Sequence, residues 1–280
     1  MIKGSTKVVG LIGNPVHHSF SPSMHNEAFK ALGLDYVYVP FDVKPQNLSY
    51  AIKGAQSLDV KGLNVTIPHK ISVIEYLDEL DEIAKLIGAV NTIDFENMKG
   101  YNTDGIGAVR AIEEVTRIRN KNVIIAGAGG ASRAISFYIA KYGAGDLTIL
   151  NRNVGKAEAL AGDVKNSGLI GDVKYGDLKD IKSYAGDADI LINTTPIGMH
   201  PHINDEPLIT ADDISEDMVV FDAVYNPNQT GLLTETLKAN ASPVYGIKML
   251  LYQGAESFTI WTGKKAPTDV MLEALNRALE

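Results

Sequence analysis

Short apolar runs recur along this chain, and each stops at glycine, proline or a small polar residue. Val8 to Ile12 is such a run, closed by Gly13-Asn14-Pro15, and its unbroken apolar character predicts a buried strand. Ser23 to Phe29 then carries helical spacing. Ser21 is placed to cap that helix, with Pro22 at its first position, where a missing N–H costs nothing. Tyr36 to Val43 alternates and reads as a strand, and Leu48 to Leu58 as an amphipathic helix. The acidic run Asp78-Glu79-Leu80-Asp81-Glu82 predicts a solvated helix face. Gly88 to Ile93 re-enters a strand, and residues 99–105 pass through a hairpin into a helix from Gly105 to Val115. The polar stretch Val115 to Lys121 reads as a linker.

After it come a strand at 122–126, a glycine turn, a helix over 131–142 stopped by Gly143, and a strand from Leu147 to Leu150. Two more buried runs end in polar clusters, one in Asn193-Thr194-Thr195-Pro196 and one in Asp222-Ala223-Val224-Tyr225-Asn226-Pro227. A helix from Thr230 to Asn240, a short strand Val244-Tyr245-Gly246, a helix from Met249 to Trp261 and a helix from Pro267 to Leu279 complete the chain. Strands alternating with helices predict an α/β fold.

Candidate chemistry begins at the turn Gly127-Ala128-Gly129-Gly130-Ala131-Ser132-Arg133. A backbone that turns there without side chains can set its N–H groups against a pyrophosphate at the positive end of the next helix. Ser132 stands where the usual fingerprint has its third glycine, so by itself the turn also suits another kind of α/β protein. The following strand adds information. Where an NAD site commonly carries an acid for the ribose, this chain has Asn151-Arg152-Asn153 and then Lys156. Unless these are ordinary surface cations, they favour a 2′-phosphate and hence NADP. Ligands on such sheets gather at the carboxyl ends of strands, so the endings at Asn193 and Asp222 should line the crevice.

The first half offers a second set. Ser19 and Ser21 put two hydroxyls at a helix N-terminus, a neutral cradle for a carboxylate unless Ser21 is only a cap. Asn64 and Thr66, two apart on one strand, point to the same side. Lys70 is expected to open a helix, where the dipole disfavours it; it is either a solvated lysine or a cation with a partner. Asp104 is a natural N-cap or a functional acid.

Composition narrows the class. With 280 residues, one large or two modest domains are expected, and 45% hydrophobic with 21% charged residues is ordinary for a soluble protein. A net charge of −8 argues against a nucleic-acid footprint, and the lack of cysteine removes thiolate nucleophiles and disulfides. No run is long enough to cross a membrane, so a cytoplasmic protein is expected. No metal site is expected either.

Taken in order, Gly13-Asn14-Pro15, Ser19-Phe20-Ser21-Pro22, Asn64-Val65-Thr66-Ile67-Pro68-His69-Lys70, Gly88-Ala89-Val90-Asn91-Thr92 and Asn102-Thr103-Asp104-Gly105 resemble the shikimate dehydrogenase family. So do the glycine turn, Asn151-Arg152, Asn193-Thr194-Thr195-Pro196-Ile197-Gly198-Met199, Asp222 to Pro227 and Gln253-Gly254-Ala255. The resemblance implies an N-terminal α/β substrate-binding domain, residues 1–104, completed by the C-terminal helices, residues 241–280. An inserted Rossmann-type NADP-binding domain, residues 105–240, lies between. It implies reversible NADPH-dependent reduction of 3-dehydroshikimate to shikimate. Ser19, Ser21 and Tyr225 would hold the substrate carboxylate; Asn64, Thr66, Asn91 and Gln253 would bind around the ring. Lys70 and Asp104 would serve the reacting oxygen, with the formal proton carrier left open. The cofactor set is Gly127, Ala128, Gly129, Gly130, Ala131, Asn151, Arg152, Lys156, Thr194, Thr195 and Gly246.

Two other readings compete. A quinate/shikimate dehydrogenase using NAD or NADP would run the same chemistry on a ring with one more hydroxyl, and a non-catalytic NADP-binding regulator would keep the fold alone. The intact serine pair and the basic Arg152 side weigh against the first, and the full reacting set against the second. The expected partner is a small-molecule substrate, with no nucleic acid or membrane and a homodimer as the candidate assembly.

Overall fold

A computed structural model describes residues 2–279. Internal contacts divide the chain into two units, Met1–Thr103 with Leu251–Glu280, and Asp104–Leu250.

The first unit contains β1 (Lys7–Gly13), α1 (Ser21–Ala31), β2 (Tyr36–Asp42), α2 (Leu48–Ser57), β3 (Gly62–Val65), β4 (Glu79–Leu80), α3 (Glu82–Ile87), β5 (Thr92–Asp94) and β6 (Lys99–Tyr101). Its sheet runs β2-β1-β3-β5-β6-β4. β1 pairs in parallel with β2 and β3, whereas β5 runs antiparallel to both β3 and β6. Ile12, Leu63, Val65 and Ile93 fill a core against Leu48 and Ile52 of α2.

The second unit contains α4 (Asp104–Glu113), β7 (Asn122–Ala126), α5 (Gly130–Lys141), β8 (Asp146–Asn151), α6 (Val154–Asn166), β9 (Val173–Asp177), α7 (Ile181–Ala185), β10 (Ile190–Asn193), β11 (Val219–Asp222), α8 (Gly231–Lys238) and β12 (Ser242–Tyr245). Its order, β12-β11-β10-β7-β8-β9, is parallel throughout. The sequence of β7, β10 and β11 is apolar without alternation because both faces are covered. Two last helices, α9 (Gly246–Thr262) and α10 (Thr268–Leu279), return the chain to the first unit from Leu251 onward. There α10 packs on α1, burying Met271, Ala274 and Leu275 at helical spacing.

Four local expectations change. Ser21 is the first residue of α1, not its cap; Phe20 takes the N-cap position, with no side-chain hydrogen bond. The acidic run is no helix face. Glu79 lies in β4, ion-paired with Lys99 of β6 at 2.6 Å, and Asp81 caps α3 by accepting from Ile83 N. Lys70 sits in a turn ahead of a short 3-10 segment, Ser72–Tyr76, so the expected conflict with a helix dipole does not arise. The stretch 115–121 lies inside the second unit, where buried Ile118 anchors the connection from α4 to β7.

One glycine shows how closely the first sheet meets α9. A Cβ on Gly62 would stand 2.0 Å from Trp261 Nε1 and 2.7 Å from Ile93 O. Those two atoms are themselves hydrogen-bonded at 2.9 Å. Gly62→Ala is therefore expected to lower the unfolding free energy by about 1–3 kcal/mol through overpacking. A urea midpoint indistinguishable from the native chain's would show that the indole can move aside freely.

Candidate functional site

The glycine turn in the second unit is built by three short-range contacts. Gly127 adopts φ +112°, and a Cβ there would lie 2.3 Å from Thr194 Oγ1, so only glycine fits between β7 and β10. Gly127 N donates to Leu150 O at 2.7 Å, tying the turn to β8. Buried Ser132 donates from Oγ to Gly127 O at 2.6 Å. The residue in the third-glycine place thus closes the turn by a hydrogen bond. Beyond it, a Cβ on Gly129 or Gly130 would meet nothing within 4 Å. Gly129 is the N-cap of α5 and offers no side chain to its first N–H groups. That open end of a twelve-residue helix suits a pyrophosphate.

The turn opens into a cleft of about 660 Å³ lined by Gly127, Ala128, Gly129, Asn151, Arg152, Lys156, Thr194 and Thr195. Of the remaining expected cofactor residues, Gly130 and Ala131 lie just inside α5 and do not line it. Gly246 does not line it either; a Cβ there would come within 2.5 Å of Val224 O, which makes it a close-packing position. Sequence reasoning missed His202 and Asp205, which line the cleft from an irregular loop with no periodicity to betray it. Neither Arg152 nor Lys156 forms an ion pair with any described residue, whereas nearby Arg133 is paired with Asp163 at 2.5 Å. Asn151 and Asn153 hold the start of α6, through Asn151 Nδ2 to Asn153 O and Lys156 N to Asn153 Oδ1. Two uncommitted cations and an open helix end match a dinucleotide with an added phosphate.

The first unit gathers neutral polar groups at its strand ends. Asn64, on β3, and Asn91, just before β5, are buried at 5% and 3% exposure. Asn64 Nδ2 reaches Asn91 O at 3.1 Å, and Asn91 Oδ1 accepts from Thr103 N at 2.7 Å. Thr66 follows directly after β3, half-buried. Ser19 and Ser21 are adjacent at the start of α1, with Ser21 N donating to Ser19 Oγ at 3.3 Å. Gln253 sits on α9 one turn before Ser257, which donates to its carbonyl at 3.0 Å. Lys70 is anchored through its own carbonyl and through the ring of its neighbour His69. The Lys70 carbonyl accepts from Val90 N at 2.8 Å, and buried His69 bonds through Nε2 to Val43 O at 2.6 Å. Asp104 and Tyr225 belong to the second unit, where Asp104 opens α4 and Tyr225 is 36% exposed after β11. Gly105 beside Asp104 lets α4 approach α5; a Cβ there would stand 2.5 Å from Ala134 O. No cluster of metal-ligating side chains occurs among the described residues, and no described helix is long and apolar enough to cross a membrane.

Comparison with known proteins gives a consistent answer along the chain. Family models match residues 11–93 (shikimate dehydrogenase substrate binding domain), 110–229 (shikimate/quinate 5-dehydrogenase) and 246–275 (shikimate 5′-dehydrogenase C-terminal domain). The NADP(+) shikimate dehydrogenase of Methanobrevibacter smithii is 65% identical over 280 residues, covering 100% of both chains. A solved shikimate dehydrogenase in complex with NADP+ superposes with a TM-score of 0.94 at 52% identity, covering 100% of this chain and 98% of the other. The enzyme of Listeria monocytogenes, in complex with shikimate and NAD, gives 0.93 at 37%, covering 97% of each.

One ionisable group is buried beside the cleft. Asp222, fully buried at the end of β11, accepts from Thr230 Oγ1 at 2.7 Å, Asn193 Nδ2 at 2.9 Å and Val224 N at 3.0 Å. Burial outweighs these donors and pushes its carboxyl up to about 6 from an ordinary 3.8. Between those values the folded chain holds a proton that the unfolded chain has released. The stabilisation is therefore complete below pH 3.8 and lost as pH rises through about 6. Relative to Asp222→Asn, the unfolding free energy of the native chain should fall by about 3 kcal/mol between about pH 4 and pH 7. A difference that does not change with pH would rule out a proton held there.

Proposed function

The chain belongs to the shikimate dehydrogenase family, and from that premise we propose which of its residues carry the reaction. The reaction is the reversible, NADP-dependent interconversion of 3-dehydroshikimate and shikimate, an oxidoreduction at a CH–OH group in the shikimate pathway. Most of substrate recognition is assigned to the first unit, with Asp104 and Tyr225 contributed by the second, and NADP binding is assigned to the second. When bound, NADPH supplies the hydride.

On the cofactor side, the main chain of Gly127, Ala128, Gly129, Gly130 and Ala131 faces the pyrophosphate at the start of α5. Asn151, Arg152 and Lys156 take the 2′-phosphate. Thr194 and Thr195 border the remainder, and Gly246, which does not line the cleft, contributes only through its close packing against Val224 O. The observation that carries this assignment is the pair of uncommitted cations lining the cleft beside an open helix end. A carboxylate at the Arg152 position would repel the phosphate these cations attract.

On the substrate side, the hydroxyls of Ser19, Ser21 and Tyr225 hold the carboxylate. Asn64, Thr66, Asn91 and Gln253 address the ring hydroxyls. Reduction of the ketone builds negative charge on its oxygen, so an ammonium fixed there lowers the barrier and a proton donor completes the alcohol. Lys70 and Asp104 fill those roles. The ring anchor of His69 and the main-chain anchor of Lys70 support this reading, because a cation that stabilises a transition state must be placed before the charge develops.

Two measurements test the two halves separately. Lys70→Ala and Asp104→Ala should each lower kcat by about 10²–10⁴-fold at saturating substrate. Near-native turnover with only a raised KM would remove that residue from the chemistry. Arg152→Ala should raise the KM for NADP by about tenfold or more while leaving that for NAD within about twofold. Equal losses with both cofactors would place Arg152 elsewhere.

A further inference from the structure

Asn64 is held from every side by the protein, and the direction of each hydrogen bond can be worked out. Its amide nitrogen must face the main-chain oxygen of Asn91, 3.1 Å away, because a carbonyl only accepts. The same nitrogen lies 3.0 Å from Thr92 Oγ1 and 3.0 Å from Ser257 Oγ. Two N–H groups are thus shared among three acceptors. The amide oxygen therefore faces the Tyr38 hydroxyl, 2.8 Å away, and the phenol donates to it. An amide oxygen has two lone pairs. After Tyr38 is satisfied, Asn64 retains one acceptor position and no surplus donor.

Tyr38 is itself immobilised. It is 2% exposed, and its ring stacks on His25 at 4.5 Å with the planes 2° apart. Its backbone is clamped by Asn26, which accepts from Tyr38 N at 2.8 Å and donates to Tyr38 O at 3.0 Å. The hydroxyl of Ser21 also lies against the phenol oxygen. One phenol therefore stands between two side chains assigned to the substrate, Ser21 and Asn64.

We propose that Tyr38 is a positioning residue for substrate recognition: it fixes Asn64 so that an acceptor oxygen, and not an N–H group, is offered to a hydroxyl of the ring. The proposal rests on the reading of Asn64 as substrate-binding. It makes the recognised feature an O–H that donates. Loss of the phenol hydroxyl leaves the Asn64 oxygen buried without its donor while keeping the aromatic stack. Loss of Ser257 Oγ, by contrast, leaves two acceptors for two N–H groups.

The test compares steady-state kinetics for Tyr38→Phe, Ser257→Ala, Asn64→Ala and the double variant Tyr38→Phe/Asn64→Ala. Trp261, the chain's single tryptophan, lies 6.1 Å from Tyr38 between ring centroids, and its emission reports whether the first unit is folded. Tyr38→Phe should raise the KM for shikimate by about tenfold, the scale of one lost buried hydrogen bond, with the KM for NADP within about twofold. It should add less than about twofold in the Asn64→Ala background, since both changes remove the same interaction. Ser257→Ala should stay within about twofold of native for shikimate. A native shikimate KM in Tyr38→Phe, or fully additive effects in the double variant, overturns the positioning role while leaving Asn64 in place. A tenfold loss in Ser257→Ala overturns the donor count even if Tyr38→Phe does not fold. Native kinetics in Asn64→Ala would instead remove Asn64 from the site, and this proposal with it.

Discussion

An asparagine buried at the end of a strand has two N–H groups and an amide oxygen to satisfy without water, and each one left unmade costs about 1–3 kcal/mol. Both sheets carry such a residue on an interior strand, Asn64 on β3 and Asn193 on β10, at 5% and 1% exposure. Asn64 ties β3 to Tyr38 of β2, to Asn91 and Thr92 beside β5, and to Ser257 of α9. Asn193 ties β10 to Asp222 of β11 and accepts from both Thr195 N and Thr195 Oγ1. The demand for complete hydrogen bonding thus fixes the strand ends, where ligands of α/β sheets are bound.

That demand also explains how much of the chain could be read before its fold was known. The interior strands were legible because β7, β10 and β11 are apolar on both faces, a pattern few other elements imitate. The acidic run was not. Its charges resemble a solvated helix face, yet Glu79 pairs with Lys99 twenty residues later, and Asp81 is spent on a cap. The Lys99 partner lies outside any local window, and the cap, though local, is read only once the start of α3 is known. Ser21 was misplaced by one position for a similar reason: cap residues and first-turn residues are drawn from the same small set, and only backbone angles separate them.

The site divides the same way. Gly127, Arg152 and Lys156 were singled out from spacing and local charge, and the structure lines one cleft with all three. Ser132 looked like a defect in the fingerprint until its hydroxyl was found closing the turn onto Gly127 O. His202 and Asp205 were invisible, lying in an irregular loop that carries no periodic signal. Tyr38 was read only as part of an alternating strand, and nothing in that alternation says that its hydroxyl ends on Asn64, twenty-six residues away.

The two asparagines differ in what they are joined to, and the difference has a physical consequence. Around Asn64 the partners are a phenol, two hydroxyls and a carbonyl, all neutral, so the network keeps its protonation state across the ordinary pH range. Burial of the adjacent His25, which pushes its imidazole down to about 3, holds that ring neutral as well. Around Asn193 the partner is a carboxyl raised towards neutrality by its own burial. A neutral cluster can orient hydroxyl groups of a polar ring without adding a field that competes with the charge developing at the reacting oxygen. The hydrogen bonds that Asp222 accepts from Thr230, Val224 and Asn193 favour its ionised form and offset part of the cost of burying that charge. The second unit thus holds a buried carboxyl raised towards neutrality beside Asn193, and the first a buried imidazole held neutral beside Tyr38.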